Sequence, residues 1–428
     1  MGAILVARRK LVGWSQEQLA ERSNVSVRTI RNLETGAIRN PRRSSVDLLV
    51  DALRAAAPSQ NSSLFSEELA DPAGSLCMDT DPRPDVSVVP KGVKWVGLRP
   101  KQDVTVGRRA DLMHVVSTIR CGKTLVLTGS VGVGKTRLAL AAAAQLADKF
   151  PDGVAVVELG AAGLATMDER DAVAEICRAL DSLLPADSGV DRPGRDDLRM
   201  LLVIDDAERV LDAIMPVIRQ LLDQYPGLRV LITSLQATVS LPVDVWEVAP
   251  LPVDQPEDGA AYPAAAELFR LRVASALPTL DLGDSIPSVV QLCRRLGGLP
   301  LAIEIAAFRM RSVPLGVMLA EGPILPILEQ KGLGGLSHQR SLRQGMAWAF
   351  GLLDNRQRGM LARLSQFTET FSIDDALDLI SDNGKPDVNG IGALAGLVDV
   401  SAVRVRRDRQ YVYEVPELMR EYVNAVSA

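Results

Sequence analysis

The residues best suited to chemistry form one run, Gly129-Ser130-Val131-Gly132-Val133-Gly134-Lys135-Thr136. It follows the apolar segment Thr124–Thr128 and leads into the helical run Arg137–Ala141. A strand, a glycine loop and a helix N-terminus therefore come in succession. That order makes an anion cradle, because loop N–H groups and the positive end of the helix face a phosphate. Gly129, Gly132 and Gly134 let the backbone approach closely. In such a loop Lys135 reaches the β- and γ-phosphates, Thr136 holds Mg²⁺ through its hydroxyl, and Arg137 opens the helix beside them. Further along, Leu201-Leu202-Val203-Ile204 ends in Asp205-Asp206. Such a pair, after a phosphate loop, is the Walker B arrangement. Asp205 orients the metal shell, and Asp206 positions or deprotonates water. The two segments together predict a site for ATP or ADP with Mg²⁺.

Other chemistries find little support. The chain has two histidines, His114 and His338, far apart in sequence, which disfavours metal-ligand or histidine-based catalysis. Its four cysteines, Cys77, Cys121, Cys177 and Cys293, are scattered without a CxxC pair and read as reduced core residues. No apolar run approaches the roughly 18 residues needed to span a bilayer, and no signal-peptide core is present. The expectation is a cytoplasmic protein with no membrane partner.

The 428 residues exceed what one core can organise, so several domains are expected. Charge is unevenly shared. Through Ala56 there are ten basic and five acidic residues, giving that head about +5 and the remainder about −10 of the net −5. A basic head on an acidic body implies a polyanion partner for the head alone. Residues 57–90, rich in Pro, Ser and Asp, read as a linker. From Gly92 to Val248 short apolar runs alternate with helical pattern: Thr124–Thr128, Val154–Leu159, Met200–Ile204 and Arg229–Thr233. Continuous apolar runs of this length suit a parallel sheet covered on both faces.

Within the head, Ser15 caps a helix beginning at Gln16, with Gln18 at the capping-box position, and Ser26 caps Val27–Glu34. Leu19, Val25, Ile30 and Leu33 are spaced to share a small core, with Arg28, Arg31 and Asn32 facing away from it. The segment WSQEQLAERSNVSVRTIRNLETG resembles the XRE/Cro-type helix-turn-helix. The resemblance implies that the second helix enters the major groove of double-stranded DNA. By position in that motif, Val27, Arg28 and Asn32 face base edges, where each good pairing discriminates by about 1–3 kcal/mol. Gln16, Arg31, Arg39, Arg42 and Arg43 are then assigned to phosphates. One such module grips DNA weakly, which implies self-association into a dimer or higher assembly.

Downstream motifs carry a second resemblance. Val106-Gly107-Arg108, Leu231-Ile232-Thr233-Ser234, Gly298-Leu299-Pro300-Leu301-Ala302, SLRQGMAWAFGLL and ELMREYV accompany the phosphate loop in one order. From about residue 100 onward the chain resembles an NB-ARC ATPase of the bacterial STAND type. The resemblance implies Pro300 packed near adenine, with Val106, Gly107 and Arg108 covering base and ribose from the other side. It also implies a multidomain fold: an all-α helix-turn-helix head over 1–56, the linker 57–90, an α/β P-loop parallel-sheet domain over 91–253, a helical lid over 254–330 and a winged-helix domain over 331–428. Arg404, Arg406, Arg407 and Arg409, near the winged-helix hairpin, also permit a second DNA contact, although in that family the domain closes on the nucleotide.

Two positions depart from the family. Leu235 stands where an arginine sensing the γ-phosphate is common, with Arg137, Arg108 or Arg109 as substitutes. Val415-Pro416-Glu417 replaces the usual Met-His-Asp. No sensor repeat of 34 or 40 residues is found, so either a sensor lies in a partner or a lost segment, or the protein works without one. These features predict an ATP/ADP-regulated DNA-binding transcription factor with slow or absent hydrolysis. The alternatives are a nucleotide-gated scaffold or defence-type signalling ATPase whose head binds protein, and a catabolic ATPase turning over well above about 1 s⁻¹.

Overall fold

The computed structural model describes residues 9, 14–23, 25–34, 89–90, 92–100, 105–122, 124–159, 169–183, 198–237, 243–256, 260–329, 342–380, 388–407 and 410–427. Contacts divide the chain into two units, Met1–Pro84 and Asp85–Ala428.

In the first unit, α1 (Gln16–Ser23) and α2 (Val27–Glu34) form a helix-turn-helix. Ser15 caps α1 as its sequence demands. The Ser15 Oγ accepts from Gln18 N at 3.2 Å, and Gln18 Oε1 accepts from Ser15 N at 2.9 Å. Ser26 Oγ accepts from Thr29 N at 3.2 Å to start α2. Leu19 and Ile30 are fully buried between the helices, and Val25 fills the turn. Arg9 clamps α2 from outside, with Nε and Nη2 donating to the two Glu34 carboxylate oxygens at 2.7 and 3.0 Å. The side chain of Leu33, and Arg39, Arg42, Arg43 and the linker 57–88, lie outside the described residues.

The second unit is built on a six-stranded parallel sheet. It contains β1 (Trp95–Val96), β2 (Thr124–Thr128), β3 (Gly153–Glu158), β4 (Met200–Asp205), β5 (Arg229–Thr233) and β6 (Asp244–Glu247), in the order β1-β3-β4-β5-β2-β6. The four long apolar runs are its interior strands. The two edges were not legible: β1 has only two residues, and β6 reads Asp-Val-Trp-Glu with three of its four residues exposed. Val106-Gly107-Arg108 lies between β1 and β2.

Alternation along each strand splits the core in two. Val126, Val157, Leu202, Ile204 and Ile232 face α5 (Glu169–Leu183) and α6 (Leu211–Gln224). Leu125, Leu127, Val156, Val203 and Leu231 face the other way, toward α3 (Arg109–Cys121) and α4 (Lys135–Leu146). Ala139 and Ala141–Ala144 of α4 are buried there, and their short side chains let the helix lie close on the sheet.

That second core continues without a break into helices α7 (Ala264–Ala276), α8 (Ile286–Arg295), α9 (Pro300–Arg309), α10 (Leu315–Leu319) and α11 (Leu325–Leu328). It then runs into α12 (Leu342–Leu352), α13 (Asn355–Leu364), α14 (Ile373–Ile380) and α15 (Val388–Asp399). An antiparallel hairpin, β7 (Arg404–Arg407) with β8 (Tyr411–Glu414), precedes the final helix α16 (Glu417–Ser427). Arg407 is the last residue of β7.

The hairpin arginines make contacts within the protein. Arg404 is mostly buried, donates to Gly297 O at 3.2 Å and pairs with Glu414, while Arg407 reaches Glu247 of β6 at 3.2 Å. Arg409 lies outside the described residues. The cysteine expectation holds for one of the three described residues. Cys293 is buried, and desolvation pushes its thiol up to about 12. Cys177 is half-buried and Cys121 exposed, while Cys77 is outside the described residues. Among the described residues no helix is long and apolar enough to cross a membrane.

Candidate nucleotide site and helix-turn-helix head

The glycine loop sits between the end of β2 and the start of α4, and its backbone explains its composition. Gly129, Gly132 and Gly134 all have positive φ, at 138°, 76° and 99°. A Cβ on Gly129 would approach Val248 O to 2.6 Å, and one on Gly132 would meet Leu301 Cβ at 2.9 Å. At Gly134 the space is open, so the left-handed backbone alone demands glycine.

Lys135, Thr136 and Asp205, predicted from segments far apart in the chain, converge here. Lys135 is buried, and its Nζ donates to Gly129 O at 2.8 Å and to Ser130 O at 3.3 Å. Burial pulls its ammonium below the usual lysine range, against the opposing pull of Glu208, Asp206 and Asp205. Thr136 Oγ1 donates to Asp205 Oδ1 at 2.8 Å. The strand order makes this possible: β5 lies between β2 and β4, and Thr233 at its end bridges the gap. Thr233 Oγ1 donates to Asp205 Oδ1 at 2.5 Å and accepts from Asp206 N at 3.0 Å. Burial, and after it the Asp206 charge, push the Asp205 carboxyl up to about 7, against the hydroxyl bonds and Lys135. Asp206 has φ of 57°, a left-handed conformation unusual outside glycine, at the point where the strand turns. A glycine cradle, a buried ammonium and a hydroxyl–carboxylate pair suit the phosphates of a nucleotide and a hard cation.

The remaining predicted residues surround this centre in different ways. Pro300 is the first residue of α9, and Leu301 N donates to Gly132 O at 3.1 Å, which fastens the helix to the loop. Gly107 turns with φ of 64°, and Val106 is half-buried beside it. Arg108 is buried and holds the assembly together. Its Nη1 donates to Asp111 Oδ2 at 2.9 Å and Ala249 O at 2.6 Å, and its Nη2 donates to Val133 O at 2.9 Å. Arg137 pairs with Glu304 at 3.0 Å, an acid that also receives Arg272 at 2.8 Å. Arg109 is exposed, and Leu235 is buried in the core.

Three contributors went unassigned in the sequence. Thr233 was read as a strand end and as part of the Leu231–Ser234 motif, with no role of its own. Glu208, three residues past Asp205, is buried with its Oε1 accepting from Trp348 Nε1 of α12 at 2.8 Å. Burial and Asp206 push its carboxyl up. Nothing local marks either Glu208 or Trp348, because their partnership spans 140 positions.

In the head, Arg28 and Arg31 on α2 are exposed, with Val27 and Asn32 half-buried. Gln16 is tied to its own fold: Nε2 donates to Glu34 Oε2 at 2.6 Å, and Oε1 accepts from Arg31 Nε at 3.4 Å.

A helix-turn-helix unit and a parallel sheet bearing a glycine loop define a multidomain protein that pairs a DNA-binding type of head with a P-loop ATPase-like domain and a helical C-terminal region. The helix-turn-helix family model HTH_3 matches residues 5–56. The chain is 31% identical over 313 residues to "Uncharacterized protein Rv0894" of Mycobacterium tuberculosis, covering 71% of this chain and 76% of that protein. It belongs to the family of that mycobacterial protein. It is also 30% identical over 315 residues to "Putative HTH-type transcriptional regulator Rv0890c" of the same species, spanning 33% of that longer chain. A 216-residue match at 32% identity relates it to "Regulatory protein AfsR" of Streptomyces griseus, covering 48% of this chain and 20% of that one. Among solved structures it is similar to a Walker-type ATPase of Pyrococcus abyssi, with TM-score 0.48, 11% identity and coverage of 77% and 99% of the two chains. A STAND protein with a tetratricopeptide repeat sensor from Pyrococcus horikoshii is similar at TM-score 0.30 and 18% identity, with coverage of 79% and 45%. At these values no role passes from either structure to this chain.

Proposed function

We propose that the protein is a DNA-binding transcriptional regulator of NB-ARC, STAND-like type whose hold on DNA is set by an adenine nucleotide with Mg²⁺. The observation that carries this reading is the Thr136 Oγ1–Asp205 contact of 2.8 Å beside a buried Lys135. Magnesium would screen the polyphosphate charge there. Lys135, now held by the carbonyls of Gly129 and Ser130, would bind the phosphate oxygens, and Thr136 and Asp205 would hold the metal. Asp206, at the strand end, positions water, and hydrolysis is slow or absent because the arginine position holds Leu235.

The lid and C-terminal helices are packed so that they feel this occupancy. Leu301 touches the loop through Gly132, and Gly345 of α12 lies so close to Val131 that an added Cβ would overlap Val131 Cγ1. Moving such a balance from 1:99 to 99:1 takes about 5.5 kcal/mol of differential affinity. The helix-turn-helix head supplies the DNA contact, in keeping with the names of two relatives.

The test combines mass-spectrometric identification of the co-purifying nucleotide with DNA binding at two salt concentrations, using duplexes selected from a random pool. ATP or ADP is expected in the wild-type protein. Lys135→Ala is expected to lower nucleotide affinity about 100-fold, by the order of 3 kcal/mol for a lost charged contact, and to change DNA affinity. DNA binding indifferent to both the nucleotide and the substitution would refute the coupling. Absence of any selected duplex would favour a protein-binding head.

A further inference from the structure

Glu208 is buried, yet its second oxygen, Oε2, has no hydrogen-bond partner among the described residues. A buried acceptor left unmatched is costly, by about 1–3 kcal/mol, so its persistence calls for a donor beyond those the described residues provide. Trp348 stands one turn along α12 from Gly345, which packs against Val131 of the glycine loop, so its partner Glu208 lies beside that loop, where Lys135 and Asp206 feel its charge. Its position is imposed from the C-terminal helices: Trp348 Nε1 holds Oε1 at 2.8 Å, and Arg209 lies 3.7 Å from the centroid of the Trp348 ring, fixing the indole from its face. Asp205 Oδ1 already receives the Thr233 hydroxyl at 2.5 Å, which limits what Asp205 can accept from the waters of a metal shell. Magnesium keeps several of its waters when it binds through one or two protein groups, and those waters need acceptors.

We propose that Glu208 is a further positioning residue of the nucleotide site, its Oε2 receiving a water of the magnesium shell while Trp348 locks the side chain in place. This rests on the nucleotide reading above. It adds that a residue of α12 is built into metal binding, so displacing α12 loosens the metal and loading the metal alters the surroundings of Trp348. Partners one step removed from a metal commonly govern its affinity by 10–100-fold.

The experiment titrates ADP into the full chain by calorimetry at a series of magnesium concentrations and again with EDTA, for wild type, Glu208→Gln and Trp348→Phe. Tryptophan emission is followed in parallel. Glu208→Gln is expected to raise the magnesium needed for half-maximal enhancement of binding at least 10-fold while leaving ADP affinity in EDTA unchanged. Trp348→Phe, which keeps an aromatic ring but loses the pyrrole ring with its N–H, should raise it about 3- to 5-fold. Magnesium with ADP should change the wild-type emission, and Trp348→Phe should abolish that change although Trp14, Trp95 and Trp246 remain. Unaltered magnesium dependence in both variants overturns the assignment while leaving the nucleotide reading intact. An emission change that survives in Trp348→Phe overturns the link to α12. Loss of ADP binding in EDTA as well would show a merely structural role for Glu208. A wild-type protein that binds no ADP at all removes the nucleotide reading and this assignment with it.

Discussion

The glycine-loop cradle and the helix-turn-helix head both present cationic side chains suited to phosphate, but by opposite means. In the cradle, Lys135, Asp205 and Glu208 are all buried, and Lys135 and Asp205 are bonded to nearby groups. Their charges act through a low-dielectric setting, which strengthens every contact and displaces their pKa values. In the head, Arg28 and Arg31 stand on the exposed face of one helix, where water screens them. The cradle thus depends on strands brought together from distant segments, whereas the head depends on a capped helix and its local charge. The first should be sensitive to pH and packing, the second to salt.

The largest difference is expected along the pH axis. The Asp205 carboxyl is raised from 3.8 to about 7 in the folded protein, so the fold binds a proton that the unfolded chain has released. Its contribution is complete below about pH 4 and is lost as pH rises through 7, on the order of a few kcal/mol. Melting temperature without nucleotide should therefore fall between pH 4.5 and 7.5 more steeply in wild type than in Asp205→Asn. Equal slopes would remove the electrostatic side of the contrast. Residues of the head should leave this slope untouched.

A smaller effect is expected from packing. Gly345→Ala places a methyl group against Val131, and overpacking of this kind costs about 1–3 kcal/mol. The variant should melt lower and bind ADP more weakly, and calorimetry checks both. Gly359, with open space around it, serves as the control for helix propensity. If Gly345→Ala and Gly359→Ala behave alike, the closeness of α12 to the loop is not functional.

The head should respond on a different axis. Arg28→Ala should weaken a selected duplex by about 1–3 kcal/mol and relax preference at one base pair. Arg31→Ala should weaken all duplexes alike and reduce the salt slope by about 1. Anisotropy titrations at several salt concentrations separate the two. If both variants behave as phosphate contacts, the direct reading of bases by α2 is refuted.

Much of this arrangement was legible because short-range physics wrote it into consecutive residues. The Ser15 and Ser26 caps follow from hydroxyls placed ahead of helical runs, and the four interior strands follow from unbroken apolar segments. The edges escaped because β1 is two residues long and β6 carries charge at both ends, so neither shows a buried-strand pattern. The inward role of Arg404 and the surface ion pair of Arg407 with Glu247 also escaped. Four arginines close together read as a surface feature until Gly297 and Glu247 are found beside two of them.

Spacing alone determined that Lys135 follows a glycine loop, that Asp205 ends a buried strand and that a basic helix pair heads the chain, since each depends on backbone geometry within a few residues. Only the tertiary structure decided that Thr233 bridges to Asp205, that Arg108 ties the loop to Ala249, and that Trp348 grips Glu208. Those contacts join segments far apart in sequence, and which strand lies between which, with which helix covering the end, is settled by packing a shared core.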